Sequence, residues 1–209
     1  MRIFCIIWLF IFFIQYNYVN KDLSKIDRNK LRTNGVIVVK PDFIKNPINI
    51  FDDKGNIVRK IYYDTIELDI KITPDSGLSI REYYPDYNII IFESNGLFSN
   101  KYEILINNSI YYIEPNQYIT FQSWEEHIKN VFVSTNKKNP LRNSPYEESK
   151  IIENLDYDRT NFIVLDVCEN WIRVQCDIDC EGCPDNKIVN GWIKWKDNDN
   201  LLVKLYYAC

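Results

Sequence analysis

Alanine is all but missing from this chain of 209 residues, Ala208 being the only one. The strongest helix former is therefore unavailable, while Ile, Tyr, Phe and Val abound, a balance that argues for strands over helices. Histidine occurs once, at His127, and residues 35–130 contain no cysteine, so neither a Cys-His nor a Ser-His-Asp set stands out. A basic excess is absent too. With residues 1–20 and their single Arg2 set aside, 24 basic residues face 29 acidic ones for a net charge of −5, a balance that disfavours a general nucleic-acid-binding role, which needs a basic surface. No Gly/Ser- or Pro-rich linker divides the chain, so its parts are expected to touch. The apolar run at the start, Ile3 to Ile14, has twelve residues, short of the ~20 that a membrane span requires.

That run has a charged start at Arg2 and a polar exit at Gln15, Asn17 and Asn20, the pattern of a secretory signal peptide. Residues 1–20 are thus read as a signal that exports the chain to the periplasm, the cell surface or the medium. No small-x-small pair precedes Lys21 to mark a cleavage site, so an uncleaved N-terminal anchor stays open as the one membrane contact. Cys5 lies inside the run and not after it, which argues against lipid attachment there. Residues 21–34 are polar and charged and read as a tether or a disordered start, with order expected from Gly35.

Residues 35–130 read as a first β domain. Val36 to Val39 is a strand candidate closed by Pro41, and Ile48 to Phe51 and Ile57 to Tyr63 flank Asp53-Lys54-Gly55, a hairpin signal. Tyr87 to Glu93, Tyr102 to Ile106 and Ile110 to Ile113 are further strand candidates. Ser123 followed by Glu126 forms a capping box for a short helix at the end of this part. Residues 131–209 read as a second domain, with strands expected at Phe162 to Val167 and Trp171 to Val174. Asn190-Gly191 predicts a tight reversal just before Trp192 to Trp195. Asn46-Pro47-Ile48-Asn49 echoes Asn139-Pro140-Leu141-Arg142. Tyr102 to Asn107 followed by Tyr112-Ile113 likewise echoes Trp171 to Gln175 followed by Trp192-Ile193. The two halves therefore read as a diverged repeat.

The ordered residues Leu141, Arg142, Ser144 and Pro145, then Ile151-Ile152, then Trp171 to Val174, then Gly191-Trp192-Ile193 carry a family likeness. Over residues 136–209 they resemble the bacterial SH3-like (SH3b) domain, a small barrel of about five strands. The resemblance implies an all-β protein with a small SH3-like barrel at the C-terminus, preceded by a second β-barrel-like domain. That first domain is either a diverged SH3-like repeat enlarged around Glu67 to Ser79 or an unrelated β domain packed on the second. The segment Gln175 to Val189 is longer than the hairpin usually found there and carries three cysteines.

His127 beside Glu125 and Glu126 could act as a general base or be a surface or interdomain imidazole; with no partner set in view, the second reading is favoured. Five cysteines remain after residue 20: Cys168, Cys176, Cys180, Cys183 and Cys209. The spacing Cys176-x3-Cys180-x2-Cys183 resembles that of radical-SAM enzymes, but those enzymes carry it near the start of a large α/β barrel. Four thiolates would suffice for zinc, whereas export favours disulfides; Cys168 to Cys209 with a second bridge between two of the other three is one of the roughly fifteen ways to pair four of five cysteines, and the sequence does not choose among them. No metal or other cofactor is expected. Tyr146, Trp171, Trp192 and Trp195 are the candidate ligand-binding aromatics. Strand alternation is expected to turn Trp171 and Trp192 inward and leave Trp195 and Tyr146 exposed. By resemblance, the expected function is that of a non-catalytic exported module recognising cell-wall peptidoglycan, its peptide or glycan, or an envelope protein. A structural envelope component without glycan affinity is the alternative, and a small hydrolase a minor one. No nucleic-acid partner is expected.

Overall fold

The computed structural model describes residues 27–40, 46–178, 182–183 and 187–208. The signal-like segment, Cys180 and Cys209 lie outside them. The protein is all-β, as its composition argued. Nine strands form the first sheet: β1 (Gly35–Val39), β2 (Ile48–Phe51), β3 (Ile57–Asp64), β4 (Asp69–Thr73), β5 (Glu82–Tyr84), β6 (Ile89–Phe98), β7 (Lys101–Ile106), β8 (Ser109–Ile113) and β9 (Ile119–Ser123). After the short helix α1 (Trp124–Ile128), a second sheet follows from β10 (Phe132–Ser134), β11 (Phe162–Cys168), β12 (Trp171–Cys176), β13 (Asn190–Lys194) and β16 (Lys204–Tyr206). A small hairpin, β14 (Lys196–Asp197) with β15 (Asn200–Leu201), sits between the last two.

The first sheet runs β4-β3-β2-β8-β7-β6-β1-β9, with β5 added beside the start of β6; the second runs β13-β12-β11-β10-β16. Inside the larger sheet, β9-β1-β6-β7-β8 has the same order as β16-β10-β11-β12-β13. In each unit a three-strand meander carries the unit's earliest strand on one edge, and that strand in turn carries the latest. Both meanders also bulge at one place. Pairing passes from Ser94↔Ile104 to Gly96↔Glu103 in one and from Val164↔Val174 to Asp166↔Arg173 in the other. Aligned on the bulges, Ile37 matches Val133, Phe92 matches Phe162, Ile104 matches Val174 and Ile113 matches Ile193, and all eight are fully buried.

In each unit the chain between the first two strands returns to pair with the fourth. In the first, β2 joins β8 through Ile50↔Ile113; in the second, Arg142 lies opposite Trp192 on β13. In the first unit the returning segment comprises β2 to β5, Ile48 to Tyr84, and takes in the stretch Glu67 to Ser79. Its opening hairpin closes as Asp53-Lys54-Gly55 suggested: Asp52 accepts from the amides of Lys54 and Asn56, and Gly55 takes φ +83°. Asn190-Gly191, in contrast, is strand and not a reversal. A Cβ on Gly191 would lie 2.6 Å from the Arg142 carbonyl oxygen, so the glycine serves the close approach of the returning segment.

Two hydrophobic clusters hold these sheets together. One face of the first sheet curls around Ile37, Ile50, Ile61, Phe92, Ile104 and Ile113. The other cluster is shared, because Val36, Ile91, Trp124 and Ile128 of the first unit pack with Val133, Phe162, Ile172 and Trp195 of the second. Strand β1 explains the arrangement: its odd residues Ile37 and Val39 face one cluster, while Val36 and Val38 face the other. A strand buried on both faces reads as an unbroken apolar run, as Val36 to Val39 does. The described part of the expected tether is tied down as well. Leu31 is buried in the shared cluster, its amide bonds Asp199, and the Trp124 indole donates to Thr33 at 2.8 Å. One apolar side chain within a polar stretch suffices to dock it.

Candidate functional site

The four aromatics singled out from the sequence do not share one environment. On β13 the inward positions are Gly191 and Ile193, and Trp195, just past its end, continues them: it is fully buried and donates from Nε1 to the Glu169 carbonyl at 3.0 Å. Trp195 is therefore no surface residue, contrary to the alternation first assumed. The register is shifted by one because Asn190-Gly191 belongs to the strand. Trp192 consequently faces outward and is half-buried, with Arg142 opposite it on one side and Arg173 on the other. Trp171 points to the same outer face, opposite Lys194, yet is covered and belongs to neither main cluster. Tyr146 is 54% exposed on the loop beside it, whose Glu147 lies 3.1 Å from Lys194 and 3.8 Å from Arg142. Arg173 is exposed and makes no ion pair among the described residues. The outer face thus presents an indole between two guanidinium groups, one of them free.

A second site, which the sequence reading missed, is concave. Beyond β10 the chain turns at Asn136, whose Oδ1 accepts from the Lys138 amide at 2.8 Å. Facing it, the turn at Asp156 is held by the Asp158 amide on Asp156 Oδ1 and by Thr160 Oγ1 on the Asp156 carbonyl. Between these two turns lies a cavity of about 880 Å³ lined by Asn136, Lys137, Lys138, Asn154, Asp156, Tyr157 and others. Asn136, Tyr157 and Asp158 continue into a cavity of about 200 Å³ that reaches Asn161, Lys204 and Tyr206. Tyr206 in turn forms a wall of a third, about 210 Å³, with Tyr84 and Tyr87 from the first unit and Leu205 and Tyr207 from the second. The three cavities are thus neighbours, each sharing wall residues with the next, and they mark out a groove along the second unit to the seam with the first. The signal that could have found its end is the pair of tyrosine clusters Tyr83-Tyr84-x-x-Tyr87 and Tyr206-Tyr207.

Beneath that end lies a buried polar network. Arg81 and Glu93, both almost wholly inaccessible, pair at 3.1 Å; Arg32 pairs with the other carboxylate oxygen at 3.0 Å, and the Arg81 guanidinium sits 4.9 Å from the Trp124 ring centre. His127 is 2% exposed at the seam. Its Nδ1 donates to Gln122 Oε1 at 2.8 Å, leaving Nε2 to accept from the Tyr207 hydroxyl at 3.2 Å. Burial, with help from Arg81, lowers its pKa to about 4. Burial likewise pushes the Tyr207 phenol up. The imidazole is neutral with both nitrogens engaged, the arrangement of an interdomain anchor; α1, which carries it, starts with the Ser123–Glu126 capping box.

Elsewhere, Asp64, Glu67 and Asp69 converge to within 4.8 Å of one another. Lys71 stands among them, 3.2 Å from Asp64 and bonded to Glu67, whose hydrogen bond raises the lysine pKa, so the chain supplies its own cation there. Cys176 and Cys183 form a disulfide and are not available as zinc thiolates. Cys168 is a free, exposed thiol on β11 opposite Trp171, while Cys209, its partner in the bridge considered above, lies outside the described residues. No helix among the described residues is long and apolar enough to cross a membrane. No family model, curated protein or solved structure matches the chain.

Proposed function

We propose that the chain is an exported, non-catalytic binding protein built from two SH3-like barrels, and that its groove recognises an extended polymer of the cell wall. The observation that carries this reading is the row of neighbouring cavities, the first and second sharing Asn136, Tyr157 and Asp158 and the second and third sharing Tyr206. Concavity, a few fixed polar groups and aromatic walls are what a ligand site needs. Amide, carboxylate, ammonium and phenol groups line the first two cavities, which suits a polar chain better than an apolar one. The signal-like start and the Cys176–Cys183 disulfide fit an oxidising compartment.

The test is sedimentation of residues 21–209, prepared under oxidising conditions, with purified cell-wall sacculi. Wild type is expected to co-sediment, Asp158→Ala and Tyr206→Ala to do so less, and Trp192→Ala to match wild type. Retention of wild type in the supernatant across a range of salt would overturn the reading. One observation favours a second reading in that event: exposed Arg173 beside Trp192 is the composition of a protein-interaction hot spot, which points to an envelope protein as partner.

A further inference from the structure

The far end of the groove differs from the rest of it. Its cavity of about 210 Å³ is lined by Tyr84, Tyr87, Tyr206 and Tyr207 with Ile89, Leu205 and Ala208, and no charged side chain is among them. Resting on the proposed wall-polymer reading, we infer that this pocket is a sugar subsite that takes one neutral N-acetylated hexose of a glycan strand.

Size and polarity select the occupant. The pocket is smaller than the ~300 Å³ at which drug-sized sites begin, so it admits a single ring or side chain. An ammonium or carboxylate placed there would lose its water without finding a partner of opposite charge in the wall. A pyranose suits it: its apolar face lies on an aromatic ring, its acetamido methyl meets Ile89 and Leu205, and its hydroxyls stay at the rim. Outside the pocket, Asn136, Asn154 and Asn161 each offer a donor and an acceptor, and Asp156 and Asp158 add acceptors, a set that answers sugar hydroxyls.

The pocket is also held in shape. The Tyr207 hydroxyl is bonded to buried His127, Tyr84 is bonded to Glu82, and Glu82 pairs with Arg28 at 3.3 Å. Tyr206 meets Ser134 Oγ at 3.3 Å. Rings fixed by such partners lose little freedom when a ligand stacks on them. Tyr87, 65% exposed, stands free at the rim. Because Tyr84 and Tyr87 come from the first unit and Tyr206 and Tyr207 from the second, the subsite exists only where the two units are docked.

The experiment is calorimetric titration of residues 21–209 with a β-1,4-linked tetramer of N-acetylglucosamine and, separately, with a four-residue stem peptide. The tetrasaccharide is expected to bind and the peptide not. Tyr87→Ala should weaken the sugar by about tenfold while Tyr87→Phe, which keeps the ring, stays within about threefold of wild type. Tyr87 is exposed, so unchanged melting of both variants separates lost stacking from misfolding. Peptide binding without sugar binding would overturn the inference, as would a sugar affinity that Tyr87→Ala and Tyr206→Ala leave within about twofold. If sacculi bind but neither probe does, the subsite fails and the wall reading survives; if sacculi do not bind either, both fail.

Discussion

The two units share a plan and differ in their surfaces. Both order their strands as last-first-second-third-fourth, both bulge between second and third, and both fill the interior from Ile37, Phe92, Ile104 and Ile113 or from Val133, Phe162, Val174 and Ile193. On the outer face the correspondence ends. Where the second unit sets Arg142, Trp192 and Arg173 across three neighbouring strands, the first sets Phe51, Tyr112 and Glu103. Lys101 lies 4.4 Å from the Phe51 ring and 3.4 Å from Glu114, so the first unit's face is closed on itself. Interior positions are constrained by close packing, whereas outer ones answer only to what they meet. The same holds for the returning segment: two bridges at Arg142, to Ile151 and Trp192, in one unit stand where the other has four strands, and the end of those strands brings Tyr84 and, just beyond it, Tyr87 to the groove.

The largest effect tests whether two plans make one body. Phe92→Ala and Phe162→Ala each empty a fully buried site and are expected to cost about 3–5 kcal/mol. Because Val36 and Ile91 share a cluster with Val133 and Ile172, both variants should lower one common calorimetric transition. Two separable transitions, only one moving in each variant, would break the shared core into independent halves.

The seam comes next. Folded His127 titrates at about 4 and its unfolded form at 6.5, so protons bind the unfolded chain first as pH falls. Its contribution is fully present above pH 6.5 and is lost on the way down to about pH 4, by roughly 3 kcal/mol. Of its two hydrogen-bond partners, Gln122 has no ionisable group and burial pushes the Tyr207 phenol further up, so neither titrates in this window. Urea midpoints of wild type and His127→Gln should diverge as the pH drops through it; parallel curves would remove the seam as the source.

The smallest effect is local to one unit. Replacing Cys176 and Cys183 by serine opens a short loop and should cost about 2 kcal/mol. The first unit has no cysteine to compensate or to lose. Faster amide exchange in β11 and β12, with β6 and β7 unaffected, is the expected signature, and a uniform increase across both sheets would show that the bridge braces the whole molecule.

Much of the fold was legible. Tyr112-Ile113 and Trp192-Ile193, which echo each other in the sequence, occupy the same rungs of their ladders, since Ile113 and Ile193 are the fully buried partners of Tyr102 and Ile172. The match of Tyr102 with Trp171 was one residue off, because the bulges that set the register leave no mark in composition. A slip of one reverses every face in a strand, which is why Trp195 was expected outside and Trp192 inside. Beyond the tyrosine clusters at its end, the groove was not legible. Its residues come from 134–138, 154–161 and 202–208 of the second unit and 84–89 of the first, and only chain folding makes them neighbours.

By itself the amino-acid sequence determined the all-β class, the hairpin at Asp53-Lys54-Gly55, the capped helix at Ser123 and the repeated plan. These follow from local propensity and short-range patterns that each segment carries with it. Tertiary structure alone decided which face of each strand is buried, that Cys176 pairs with Cys183, that His127 is neutral, and that four tyrosines from two units share one pocket. Those outcomes depend on register and docking, which are set by contacts between residues far apart in the chain.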